Sequence, residues 1–279
     1  MEQRSKATIP YLMDKKRTGK KITMLTAYDY SMAFIMDQAG IDTILVGDSL
    51  GMVVLGYNST VPVTMEEMIH HCKAVRRGTE YAFLIGDMPF MSYQTSVEEA
   101  VRNAGRFLKE AGCDAVKLEG GQEMAETVAA MVRIGIPVVG HIGLTPQTAT
   151  SLGGFKVQGK DLTSAQKQLD SARALDQAGT CMLVLECVPD KLAKKITESV
   201  RMPTIGIGAG VDCDGQVLVS NDLLGLFKKF TPKFVKKYAD LFPSIDEAFR
   251  TYIEEVAAGT FPAVEHTFVM KEHDLEGLK

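Results

Sequence analysis

Short apolar runs alternate along the chain with amphipathic stretches, and the alternation predicts a strand and a helix in turn from one end to the other. The predicted strands are Ile22–Ala27, a run through Ile44–Val46 that stops at Gly47-Asp48, and a near copy, Phe83–Ile85, that stops at Gly86-Asp87. Five more follow, at Ala115–Glu119, Pro137–Gly143, Met182–Cys187, Thr204–Gly208 and Gln216–Val219. The runs are apolar on both faces, as expected of parallel strands covered by helices. Helix signals lie between them. Ser31–Ala39 ends at Gly40; Thr64 with Glu67 and Ser96 with Glu99 have the spacing of capping boxes, for helices running to Arg77 and Gly112. Further helices are predicted at Glu123–Ile134, Thr163–Gln177 before Gly179, and Asp190–Val200, with the chain from Val219 to Ala258 largely helical.

Eight strands alternating with helices argue for an α/β fold of the closed (β/α)8 TIM-barrel kind, with an open eight-stranded sheet as the alternative. The helix after the seventh strand is so short that the count could be off by one. No break in composition divides the chain, so residues 1–279 read as one catalytic domain with a C-terminal arm at about 259–279. Two stretches resist the pattern. Leu50–Pro62 is too apolar for a free connection and reads as a lid, a subunit contact or an excursion into the core. The Gly-, Thr- and Gln-rich run up to Lys160 has no element of its own, and loops that long are usually functional or disordered.

Reactive groups of a barrel sit where strands end at its C-terminal face. The residues at those positions are Asp29, Asp48, Asp87, Lys117, Glu119, His141 and Glu186. Each alone has an ordinary explanation as a cap, a surface pair or a satisfied buried imidazole. Together, several carboxylates in one crevice repel one another unless a cation or protons neutralise them. Oxygen donors without a Cys/His cluster favour magnesium over zinc. A bound 2-oxo acid would complete its coordination, and Glu186, set among Leu183–Leu185 and Cys187–Pro189, has the apolar neighbours that raise a carboxyl into the range of a general base.

Composition narrows the partners. The 279 residues are 46% apolar and 24% charged with a net charge of -4, and no basic block suits nucleic acid. Lys228, Lys229, Lys233, Lys236 and Lys237 read as a solvated face. The five cysteines show no C-x-x-C spacing and read as reduced thiols. Met1–Lys21 has no apolar signal region and no run approaches a membrane span, so a cytoplasmic location without membrane contact is expected. Gly154–Lys160 has the Gly and Lys spacing of a P-loop, but Asp161 stands where Ser or Thr is required. Gly206, Gly208 and Gly210 miss the last glycine of a dinucleotide fingerprint, and both motifs are read as turns.

Several segments carry a resemblance over nearly the whole chain: TAYDY at 26–30, VGDSLGMVVLGY at 46–57, GDMPFMSY at 86–93, VKLEGG at 116–121, GHIGLTPQ at 140–147, GGFKVQGK at 153–160, LVLECVP at 183–189 and IGIGAG at 205–210. In that order they resemble the ketopantoate hydroxymethyltransferase family. The resemblance implies a (β/α)8 barrel that moves a one-carbon unit from 5,10-methylenetetrahydrofolate to 3-methyl-2-oxobutanoate with magnesium bound, in a homo-oligomer of ten subunits. By position it implies Asp48 and Asp87 as metal ligands with Glu119 beside them, Ser49 and Lys117 holding the oxo acid, Glu186 as proton acceptor and His141 lining the site. The chain departs from the pattern at Asn221, where the family is expected to have His, and in the tail Val269–Lys279. Two rivals remain: a magnesium enzyme related to phosphoenolpyruvate mutase and isocitrate lyase, and a metabolite-binding barrel without activity.

Overall fold

The computed structural model describes residues 4–151, 153–154, 156–276 and 278. Parts of three expectations, on the N-terminus, on Gly154–Lys160 and on the tail after Phe268, lie outside the described residues. Eight parallel strands close into a barrel in chain order: β1 (Ile22–Thr26), β2 (Thr43–Val46), β3 (Phe83–Asp87), β4 (Ala115–Glu119), β5 (Val138–Gly143), β6 (Met182–Glu186), β7 (Thr204–Ile207) and β8 (Gly215–Leu218). β1 pairs with β8, so no edge is left and the open-sheet alternative is removed. The apolar runs have two separate destinations. Ile22, Met24, Leu45, Ile85, Val139, Val184 and Val217 fill the barrel interior, while Ile44, Leu84, Val116, Val138 and Leu183 pack outward under the helices.

The helices before the first strand and around the first three are α1 (Ile9–Arg17), α2 (Tyr30–Ala39), α3 (Leu50–Val53), α4 (Met65–Arg77) and α5 (Val97–Ala111). They are followed by α6 (Ala125–Arg133), α7 (Leu162–Ala178), α8 (Asp190–Ser199), α9 (Ser220–Leu223) and α10 (Leu241–Ala258). Local chemistry sets their ends. Thr64 and Glu67 form the reciprocal box that opens α4. At α5 only half the expected box forms: Ser96 accepts from the Glu99 amide, but the Glu99 carboxylate turns to the Thr95 hydroxyl. Gly40, Gly112 and Gly179 close their helices in the left-handed conformation.

Three expectations change. The helix predicted from Glu123 opens as a 3-10 turn, Gln122–Met124, before α6. β7 passes to β8 without a helix. The stretch predicted largely helical to Ala258 contains α9 and α10 with irregular chain between Leu224 and Asp240, where Pro232 and clustered lysines oppose a helix. The N-terminal segment also has a role that its polarity concealed. Leu12 of α1 is buried against the lower barrel interior, and Lys6, Lys15 and Lys16 pair with Asp114, Asp42 and Asp214 at 2.6, 2.6 and 2.9 Å. Those aspartates immediately precede β4, β2 and β8, so α1 closes the end of the barrel remote from the strand C-termini. Among the described residues no helix is long and apolar enough to cross a membrane.

Candidate active site

Asp48, Asp87, Lys117, Glu119 and His141 converge at the C-terminal mouth of the barrel, each 5% exposed or less, and Glu186 is half-buried beside them. Their elements explain the convergence. β2 and β3 run in register, Val46 against Gly86, so the two Gly-Asp exits are neighbours and the Asp48 amide donates to Asp87 Oδ2 at 3.0 Å. Lys117 and Glu119 lie on one face of β4, and the register sets Lys117 against Asp87 and Glu119 against His141. Asp29 is not part of the group. It is exposed and caps α2 by accepting from the Met32 amide.

Lys117 Nζ stands 2.8 Å from Asp87 Oδ1 and 3.4 Å from His141 Nδ1. An ammonium only donates, so Nδ1 is the acceptor and the proton of a neutral His141 is on Nε2, facing Glu186 Oε2 at 3.2 Å. That last pair is too bent for a hydrogen bond and leaves Nε2 without a partner. Burial, and then the charge of Lys117, hold His141 well below the ordinary imidazole range, which keeps it neutral.

Four carboxylates therefore face one ammonium. Burial raises Asp87 to about 7, against the pull of Lys117 and with a further push from Asp48. Burial and the neighbouring carboxylate Asp48 lift Glu119 well above its usual range. Burial also raises Glu186 to about 7, with Lys117 opposing. Lys117 loses hydration too, but Asp87, Glu119 and Asp48 outweigh that loss and keep it charged. Glu119 Oε1 is buried with no hydrogen-bond donor. An excess of oxygen donors with an unsatisfied buried member suits a hard divalent cation, although among the described residues no group of three His, Cys, Asp or Glu side chains forms a complete metal cage. Magnesium does not need one, since it commonly takes one or two carboxylates and fills the rest with water and substrate oxygens.

Three polar side chains were not among the sequence candidates. Gln147, buried in the loop after β5, donates to Asp48 Oδ2 at 3.0 Å and to the Met88 carbonyl at 2.9 Å, while its own amide N–H donates to Glu119 Oε2 at 3.0 Å. Tyr93 donates to Gln147 Oε1 at 2.7 Å and accepts from the Glu119 amide at 3.1 Å. Tyr28, next to Asp29, shares a hydrogen bond with Ser49 Oγ at 2.8 Å. All three belong to the quoted segments, but a glutamine in a loop and tyrosines next to polar residues such as Ser92, Gln94 and Asp29 carry no sign in sequence of being buried.

The other sequence expectations place as follows. Leu50 and Gly51 of the apolar stretch are buried, while Val54, Tyr57 and Val61 at its tip are exposed in the single chain. Asn221 is on α9, where its carbonyl accepts from Leu226 and Phe227, and none of its described hydrogen bonds reaches the carboxylates.

Residues 6–264 match the sequence family described as ketopantoate hydroxymethyltransferase. The chain is 61% identical over 274 residues to a 3-methyl-2-oxobutanoate hydroxymethyltransferase of Syntrophomonas wolfei, covering 98% of this chain and 99% of that one. It is 60% identical over 268 residues to the protein of the same name from Moorella thermoacetica, covering 96% and 100%. Among solved structures, phosphonopyruvate hydrolase shares the fold with a TM-score of 0.61 at 12% identity, covering 98% of this chain and 94% of that one. A 2,3-dimethylmalate lyase of the PEP mutase/isocitrate lyase superfamily does so with 0.58 at 15%, covering 96% and 93%.

Proposed function

The chain belongs to the ketopantoate hydroxymethyltransferase family and is an enzyme of pantothenate biosynthesis that transfers a hydroxymethyl unit to 3-methyl-2-oxobutanoate, and from that premise we propose how its barrel mouth performs the transfer. Asp48 and Asp87, with Glu119 beside them, would hold a magnesium ion. Bound there, it supplies Lewis-acid polarisation of the substrate's keto group, which makes the neighbouring C3–H acidic. Among the described residues Lys117 is the one cation beside the buried carboxylates, and it meets the carboxylate of the oxo acid. Ser49, oriented by Tyr28, adds a hydroxyl at the rim. Glu186 takes the C3 proton. β6 is opposite β2 in the ring, so the base approaches the substrate from across the mouth, away from Asp48. C3, having given up its proton, would form a bond to the methylene carbon of 5,10-methylenetetrahydrofolate; water supplies the hydroxyl oxygen of the hydroxymethyl group and, as the carbon–nitrogen bonds break, tetrahydrofolate leaves. His141 lines the floor, with its Nε2–H facing the base. A cytoplasmic homo-oligomer is the setting in which we place this activity.

One observation supports the assignment of Glu186 above the others. It is a carboxyl raised to about 7, matched to work near neutral pH, and it is not tied by a described hydrogen bond to the cluster around Asp48 and Asp87. The rival carboxylates Asp87 and Glu119 are engaged with Lys117, the Asp48 amide and Gln147. The experiment is exchange of the C3 proton of 3-methyl-2-oxobutanoate with deuterated water, followed by NMR without folate, so that deprotonation is separated from one-carbon transfer. Glu186→Gln is expected to bind the oxo acid and magnesium as the wild type does and to lose exchange by a factor of ~10² or more. Exchange at the wild-type rate would assign the base elsewhere, with His141 next.

A further inference from the structure

Between α9 and α10 the chain leaves the barrel and returns to the same place. The Tyr238 and Leu241 amides donate to the Leu223 and Leu224 carbonyls, both at 2.9 Å, so residues 225–237 form a closed excursion. Its middle is anchored over the barrel mouth. Phe234 packs onto the apolar cluster of the barrel interior and lies against Gly208, which follows β7, so closely that a Cβ there would come within 2.7 Å of the ring. The foot of the excursion is at the mouth as well: Asp222, half-buried on α9, lies beside Tyr28, whose hydroxyl is bonded to Ser49. The excursion therefore forms the rim of the site from β7 round to β1.

This rim carries the lysines that read in sequence as a solvated face. From Leu224 to Asp240 there are five lysines and one aspartate, a net charge of +4 in a chain whose total is -4. All five lysines are exposed, and among the described residues only Lys228 is in an ion pair, with Asp240 at 2.8 Å. Lys237 faces Asp222 without pairing, and Lys236 lies over the Tyr238 ring. The other basic run of the chain is treated differently: Lys15, Lys16 and Arg17 are paired with Asp42, Asp214 and Asp14. Phe230 and Tyr238, 65% and 67% exposed, are interleaved with the lysines of the rim. Uncompensated ammonium groups with aromatic faces between them suit a ligand built as an aromatic ring followed by carboxylates.

We propose that residues 229–237 bind the p-aminobenzoyl-glutamate end of the folate co-substrate, with the lysines meeting the carboxylates of its γ-glutamyl chain. The inference rests on the reading that a folate delivers the one-carbon unit. Direction favours this rim over the others. Asp48, Asp87 and Glu119 with Gln147 take up the side of the mouth from β2 to β5, and the base, Glu186, is on β6. The one-carbon donor therefore comes to C3 from the side of β6 to β8, and its tail leaves across the excursion. Each further glutamyl residue adds a carboxylate and at least the ~3.5 Å of an extended residue, so a chain of several runs along the lysines while a single glutamate meets only the nearest. Exposed pairs of this kind contribute a few-fold each and are screened by salt, so their effect is large only when several form at once.

The test is equilibrium binding, by calorimetry on the intact protein with magnesium and 3-methyl-2-oxobutanoate, of tetrahydrofolate carrying one glutamate or five. The variant is Lys229→Gln/Lys233→Gln/Lys236→Gln, three exposed positions outside any described ion pair. Lys191→Gln/Lys194→Gln/Lys195→Gln on α8, on the outside of the barrel, makes the same change of net charge away from the mouth. The wild type is expected to bind the pentaglutamate ~10-fold or more tighter than the monoglutamate, and the rim variant to reduce that ratio below about threefold. Arginine at the same three positions is expected to keep the ratio, and raising salt from about 50 to about 500 mM to shrink it. Folate-free exchange of the C3 proton is expected at the wild-type rate in the rim variant, which shows its mouth to be intact. Equal affinity of the wild type for the two forms, a ratio retained in the rim variant, or the same loss in the α8 variant would overturn the site. A wild type that binds neither form would overturn the folate reading itself, and the site with it.

Discussion

Replacing Gln147 by Met keeps the length of the side chain and removes all of its hydrogen bonding. The side-chain amide makes four such bonds: it donates to Asp48 Oδ2 and the Met88 carbonyl, and accepts from Tyr93 and Gln94. The substitution leaves the Met88 carbonyl and the Tyr93 hydroxyl without those partners, in surroundings where Met88 is 0% and Tyr93 1% exposed. Each buried group left unsatisfied costs about 1–3 kcal/mol, so the loss is expected to be about 3 kcal/mol after the small gain from a more apolar side chain. Tyr93→Phe alone strands the other end of the same bond. In the double variant both partners are apolar, and the penalty of the first substitution is not paid twice, so the two are expected to couple by about 1–2 kcal/mol. Urea unfolding at one protein concentration, in the presence of EDTA, measures all three. The second readout is magnesium affinity by calorimetry, expected to fall ~10-fold or more because Asp48 loses the donor that orients it. A loss under about 0.5 kcal/mol for Gln147→Met with an additive double variant would refute the view that this amide braces the carboxylates.

Two further outcomes follow from the same geometry. Asp87 and Glu186 hold their protons up to about pH 7 in the fold but ionise near 4 when unfolded, so the stability they contribute is full below about pH 4 and is lost as pH rises to 7; Glu119 acts in the same direction. His141, kept neutral in the fold, opposes this below pH 6.5, one group against three, so the metal-free protein is expected to melt progressively lower from pH 5 to 7.5, and saturating magnesium to remove the share due to Asp87 and Glu119; a flat metal-free profile would contradict the burial of these carboxyls. Gly143→Ala is expected to destabilise by about 3 kcal/mol and to lower kcat, because its Cβ would meet the Glu186 carbonyl at 2.1 Å with φ at +96°, whereas Gly135→Ala, with φ at +90° but nothing within 4 Å, is expected to cost only about 1 kcal/mol; equal melting points would show that the contact with Glu186 yields freely.

What could be seen in the sequence depended on whether a residue's surroundings are near it in the chain. Most of the strands were visible because a strand buried on both faces is a continuous apolar run; β1 and β8, whose outward Thr23 and Gln216 are exposed, were still legible from their remaining apolar residues, and Asp48, Asp87, Lys117, Glu119, His141 and Glu186 were visible because they stand at the C-terminal ends of such runs. Asp29 was a false member of that set, since the same position also suits a helix cap, and its neighbour Tyr28 turns inward instead. Gln147 could not be found this way, because its significance lies in the Asp48 carboxylate and the Met88 carbonyl just beyond β2 and β3 and in Glu119 at the end of β4, which only closure of the barrel brings to it. The role of α1 was hidden for a related reason. Lys6, Lys15 and Lys16 look like a solvated basic start until Asp114, Asp42 and Asp214 are gathered beneath the barrel.

Lys117 joins the two halves of the site. On one side its ammonium faces Asp87 at 2.8 Å, and on the other it is 3.4 Å from His141 Nδ1. Because it can only donate, its presence selects the His141 tautomer that turns N–H toward Glu186, and because it is charged it opposes protonation of both the imidazole and Glu186. A neutral residue there would remove each of these effects at once: His141 would be free to take the other tautomer, Glu186 would hold its proton to higher pH, and Asp87 would keep only the Asp48 amide as a donor. The lysine would therefore do more than make the proposed contact with an anionic substrate. Against the burial that raises all three, its charge draws Asp87 and Glu119 on one side of the mouth and Glu186 on the other towards their ionised forms, in which carboxylates can hold a cation and accept a proton, as proton abstraction beside a polarised carbonyl requires.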